Sequence, residues 1–130
     1  MIIDFHTHHF PDRIAENAMK VLTESAKCEN IQPHTKATLA DNLSYMDRVG
    51  VDKMVTLNIA VVKKQERSIN DYVIANTNNR IIPFGSVHPD SENWQNELNR
   101  LIDAKVVGVK FHPEYQQIDA DDKRWYPIYE

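Results

Sequence analysis

Apolar residues recur along this chain in alternating extended and helical rhythms. The run Ile2-Ile3-Asp4-Phe5-His6-Thr7-His8 reads as a strand over residues 2–8, broken by Phe10-Pro11-Asp12. Ile14, Ala18, Val21 and Leu22 then fall at helical spacing and predict a helix over 13–26. A polar stretch containing Pro33 leads to a second helix over 38–49, with Leu39, Leu43, Met46 and Val49 on one face. Gly50 stands where a helix commonly ends in a left-handed residue. Beyond it the pattern predicts strands over 53–58, 81–88 and 106–111 and helices over 68–78 and 93–104, the latter capped by Ser91. Residues 121–130 read as the start of another helix. Strands alternating with helices imply β/α units, right-handed crossovers and one parallel sheet.

Composition narrows the class. With 130 residues the chain fits one domain, and 42% hydrophobic residues suffice for a packed core. A net charge of −4 offers nothing to nucleic acid or an anionic membrane. Cys28 is the only cysteine, which rules out an internal disulfide. The first residues lack a secretory apolar core, and the most apolar stretch, 54–62, is interrupted by Thr56 and Asn58. The expectation is a cytoplasmic, soluble protein.

Chemistry gathers where strands end. Side chains alternate along a strand, so His6 and His8 project from one side and can converge on an ion. His9 has the opposite parity and suits a structural role, and Asp4 suits an internal ion pair or hydrogen bond. The second predicted strand ends in Asn58, the third in His88, and the fourth in Lys110 and His112. In parallel strands these ends share one rim, where α/β proteins build their sites. Five of the six histidines fall on it, and only His34 lies elsewhere. Along the fourth strand Val107, Val109 and Phe111 share one face, while Gly108, Lys110 and His112 share the other and point inward. The metal candidates are therefore His6 and His8, with His112 as a further metal ligand or a substrate contact; the substrate-binding candidates are Lys110 and His88, the latter equally suited to hydrogen-bonding a loop. Tyr115 follows the fourth strand end and could line a pocket. Trp94, Trp125 and the remaining tyrosines suit packing, and Lys63-Lys64 and 121–124 suit solvated faces. No nucleophile elbow, glycine-rich phosphate loop or Cys-x-x-Cys pair is present.

Asp4-Phe5-His6-Thr7-His8, followed by Phe10-Pro11, resembles the opening of amidohydrolase-superfamily metal enzymes. The lead-in Gly50-Val51-Asp52-Lys53 and the segment Gly108-Val109-Lys110-Phe111-His112-Pro113 resemble the amidohydrolase-related branch, which includes aminocarboxymuconate-semialdehyde decarboxylase. Tyr126-Pro127-Ile128-Tyr129-Glu130 resembles the helix that follows in that branch. The resemblance implies a TIM-type (β/α)8 barrel with a divalent ion, commonly zinc, at its C-terminal rim. His6 and His8 match the family's first-strand ligands, and His112 is a further match. A full barrel needs about 250 residues, so the resemblance implies the N-terminal half of one, a single partial domain over 1–130 cut after the fourth strand. The family's late-strand aspartate, ligand and general base, has no counterpart here, and no catalytic residue is assigned.

The function expected is metal-assisted hydrolysis of a small-molecule substrate, with decarboxylation as an alternative and the isolated chain inactive. A non-catalytic half-barrel that binds metal or assembles with a partner is the competing reading from another class. Two other families of metal hydrolases, TatD-type nucleases and PHP-type phosphoesterases, also open with His-x-His. The TatD pattern needs a glutamate at a middle strand end, where this chain has Val87-His88 and Phe111-His112. A sheet cut after four strands has two bare edges, so a homo-oligomer is expected.

Overall fold

Four parallel strands form a single sheet in the order β1-β2-β3-β4, in a computed structural model that describes residues 1–25 and 32–130. The strands are β1 (Ile3–Thr7), β2 (Lys53–Leu57), β3 (Ile81–Gly85) and β4 (Gly108–Val109). Between them run α1 (Asp12–Ser25), α2 (Leu39–Val49), α3 (Glu66–Ala75) and α4 (Trp94–Asp103), and the short α5 (Pro113–Gln116) and α6 (Tyr126–Tyr129) follow β4. The chain is thus a mixed α/β structure in which neighbours in sequence pair in space. The last residue of the first expected helix, Ala26, and Cys28 lie outside the described residues.

The end signals of α2 work as the sequence suggests. The Thr38 hydroxyl accepts from the Asp41 N–H, and Gly50 adopts φ 74 with its N–H donated to the Met46 carbonyl. Met46 then packs on Met54 of β2 and Ile81 of β3, flanked by Leu39, Leu43 and Val51. β2 is buried from Met54 to Leu57, as a central parallel strand covered on both faces must be. β1 is an edge and is largely exposed.

Several boundaries differ from the expected ones. The inward stripe of α1 runs through buried Ala15 and half-buried Ala18, Met19 and Leu22, while Ile14 and Val21 face solvent. Both sets have helical spacing, and only contact with the rest of the fold selects between them. Ser91 does not cap α4, whose first turn follows Asn93 without a side-chain cap. Its hydroxyl instead donates to Glu66 Oε2 at 2.7 Å. α3 begins two residues before the expected start, at Glu66, after a single 3-10 turn over Lys63–Gln65. β3 stops at Gly85 because Ser86 turns its backbone toward α3: Asn70 bonds both its N–H, at 2.8 Å, and its carbonyl, at 2.9 Å. β4 holds only two ladder residues, although flanking bonds run from Val107 N to Pro83 O and from Lys110 N to Gly85 O.

Candidate functional site

β1 carries the feature that aims its histidines. Asp4 pairs with Met54 of β2 and Thr7 with Thr56, so three steps along β1 match two along β2. That is a bulge, a device that re-aims side chains at strand ends. It puts Asp4 and Thr7 on one face despite their opposite parity. The Asp4 carboxylate accepts from the His6 N–H at 3.1 Å, a local turn bond rather than an internal ion pair. Within and just beyond the bulge, the His6 and His8 rings lie with centroids 5.2 Å apart. Two imidazoles on one tetrahedral ion, with metal–nitrogen bonds of about 2.0–2.1 Å, have centroids about 5 Å apart.

His8 is the more enclosed of the two. Burial pushes its imidazole down to about 4, the charges of His6, Lys110 and His112 push the same way, and the Leu57 backbone opposes them. The ring is therefore neutral at pH 7, the form that ligates metal. Its backbone carbonyl accepts from Asn42 Nδ2 on α2 at 2.9 Å. Asp4, Thr7, His8 and Asn42 border a hollow of about 200 Å3.

Next along the rim, His9 is buried, and its Nδ1 shares a 2.9 Å hydrogen bond with the Tyr72 hydroxyl. Burial and then the neighbouring His8 lower it to about 4. Burial and then the Asp12 carboxylate raise the Tyr72 phenol, so the pair remains uncharged. His9 thus ties β1 to α3.

The other rim residues arrive from β3 and β4. Lys110 lies near enough to depress His8 and has no ion-pair partner among the described residues. His112 also acts on His8, but its Nδ1 accepts from the Tyr115 N–H as the cap of α5, and its ring stacks on Tyr115 at 4.1 Å. The structure gives His88 a loop-bonding part: its N–H donates to Glu66 Oε1, and its Nδ1 accepts from the Asp90 N–H. Among the described residues no three His, Cys, Asp or Glu side chains are placed to hold one ion. His6, His8 and His112 therefore do not form the expected three-ligand set within the described residues. The geometry brings together a histidine pair, with Lys110 close enough to act on His8. His34 lies apart, stacked on Tyr45 beside a hollow of about 820 Å3 between α1 and α2.

Beneath the rim runs a polar layer that the sequence reading missed. Asn70, fully buried, bonds Ser86 and donates to Glu97 Oε1 at 2.9 Å. Glu97 pairs with Arg100 and Arg67. Ser86 Oγ accepts from the Ala60 N–H and donates to the Lys110 carbonyl, and Gln116 reaches the loops after β2 and β3. The only sequence signal was polar residues at inward positions of α3 and α4, which reads equally well as a wetted helix face.

No family model matches the chain, and no curated protein matches it. Among solved structures, the crystal structure of IDCase from Metarhizium anisopliae in its apo form matches with a TM-score of 0.69 at 17% identity. The match covers 100% of this chain and 47% of that one, so the chain spans about half the length of its solved neighbour. No helix among the described residues is long and apolar enough to cross a membrane. What the likeness establishes is the fold: four parallel β/α units arranged as in about half of a larger α/β protein.

Proposed function

We propose that these four units are the N-terminal half of a TIM-type (β/α)8 barrel and carry the first metal ligands of an amidohydrolase-type hydrolase. The observation that carries this reading is the closeness of the His6 and His8 rings, with centroids 5.2 Å apart, at the end of β1. The sequence resemblance and the IDCase-like fold support it. The ion, zinc by the donor chemistry, would be held by His6 and His8 with further donors from beyond these units. When bound, such an ion supplies a polarised water of lowered pKa.

This chain's own residues hold and orient. Asn42 fixes the His8 backbone, burial keeps the His8 ring neutral, and Lys110 offers a cation to an anionic group of a small substrate. His112 also acts on His8 and becomes an additional donor if its cap opens. A lysine at this place also suits a metal-dependent decarboxylase, whose substrate must present a carboxylate; product analysis separates the two reactions. The 130-residue chain alone has little turnover, because it contains no assigned general base.

Zinc titration tests the reading. The wild-type chain binds one ion weakly, and His6→Ala and His8→Ala each weaken binding at least tenfold. Equal affinity in all three proteins removes the metal site, and turnover by the isolated chain that His6→Ala abolishes removes the need for a second half.

A further inference from the structure

The rim residues come from separate strand ends, and a sheet alone does not fix the loops beyond its ladder. Gln116, the last residue of α5, reaches across those loops. Its side chain is buried, and its Nε2 donates to the Ala60 carbonyl at 3.1 Å and to the Val87 carbonyl at 3.0 Å. Its Oε1 accepts from the His112 N–H at 2.8 Å. One carboxamide thus uses both donors and its acceptor on the segments that follow β2, β3 and β4. At the same helix start His112 Nδ1 accepts from the Tyr115 N–H, so His112 and α5 grip each other reciprocally, as in a capping box.

Ser86 completes the arrangement from the opposite side. It accepts from the Ala60 N–H at 3.0 Å and donates to the Lys110 carbonyl at 3.1 Å. Ala60 is therefore held at its N–H by Ser86 and at its carbonyl by Gln116. Lys110 is held at its N–H by Gly85 and at its carbonyl by Ser86.

We propose that Gln116 is a positioning residue: its carboxamide locks the three loops together and thereby sets Lys110 and His112 opposite the His6–His8 pair. The inference rests on the rim being the functional site, and it assigns the spacing between its two sides to one residue. Gln116 touches neither a ligand nor the histidine pair. A fully satisfied buried amide is rigid because every alternative rotamer leaves three backbone groups unbonded.

The test compares the wild-type chain with Gln116→Met, which keeps the volume and removes all three bonds. Val73→Ala, a core change away from the clasp, serves as a control for lost stability. Two nuclear-magnetic-resonance readouts are taken. The first is the paramagnetic shift that Co2+ bound at the histidine pair imposes on Lys110, His112 and Tyr115. The second is hydrogen exchange of the His112 amide in the metal-free chain. Gln116→Met should reduce the paramagnetic shifts at least twofold and speed His112 exchange at least tenfold, and Val73→Ala should do neither. Unchanged shifts in Gln116→Met, or equal changes in Val73→Ala, overturn the positioning role. If Co2+ imposes no shifts on the wild-type chain, the metal reading fails by itself, and unaltered His112 exchange in Gln116→Met would still overturn the clasp. Should Gln116→Met not fold, Gln116→Glu keeps the acceptor and loses both donors. Reduced Lys110 shifts then support the proposal, and wild-type shifts overturn it.

Discussion

Replacing Asn70 by leucine isolates the polar layer under the rim, because leucine keeps the branched outline of asparagine, is somewhat larger and so leaves no cavity, and cannot hydrogen-bond. Asn70 is fully buried and makes three bonds, two to the Ser86 backbone and one to Glu97. After the change the Ser86 N–H and carbonyl lie buried without partners, each at a cost of about 1–3 kcal/mol. Glu97 loses one donor but keeps Arg100 and Arg67. The added apolar burial returns about 1 kcal/mol, leaving a net loss of about 3 kcal/mol. With an m-value of about 1.5 kcal/mol/M in urea, the midpoint falls by about 2 M. Equilibrium urea unfolding followed by circular dichroism and by tryptophan fluorescence measures it. A midpoint shift under about 0.5 M with an unchanged slope would refute the claim that Asn70 holds the end of β3.

The remaining predictions concern other parts of the same frame. Burial disfavours the ionised form of Glu97, but bonds from Arg100 and Asn70 and the charges of Arg100 and Arg67 outweigh it and hold the carboxyl below its ordinary range. Its contribution is therefore complete above the unfolded carboxylate pKa of about 4.3 and disappears as pH falls through the lower folded value. Glu97→Gln should flatten the acid limb of a stability–pH curve, and an unchanged limb would argue against the pairing. Gly85→Ala puts a Cβ 2.5 Å from Leu101 Cδ1 and 3.2 Å from Asn70 Oδ1, so a loss of about 1–3 kcal/mol is expected from overpacking; thermal melting reads it. Among the described residues β1 and β4 each leave a sheet edge unpaired, so we expect the 130-residue chain to form a dimer or larger assembly. Sedimentation that shows a monomer with cooperative unfolding would contradict this.

Most elements were legible because they depend on local signals. The cap at Thr38, the left-handed Gly50 and the apolar run of β2 act within a few residues, and the structure uses each as the pattern suggests. The collection of histidines at strand ends was legible too, since parallel strands leave no other place for those ends to meet. What the sequence could not show was decided by partners far along the chain. Ile14 and Ala15 belong to two stripes that both repeat every helical turn, and only packing buried Ala15 and exposed Ile14. β3 ends at Gly85 because Asn70, 16 residues earlier, competes for the Ser86 backbone. The bulge in β1 moved Asp4 off the face that its parity assigns, a matter of register with β2 some fifty residues on. His112 became a helix cap because Pro113 begins a turn whose N–H groups need an acceptor. Local rules determined which elements form and at which ends the histidines gather. Hydrogen bonds between distant segments decided where those elements stop and how the rim is held, because a buried backbone group takes whatever partner the fold brings to it.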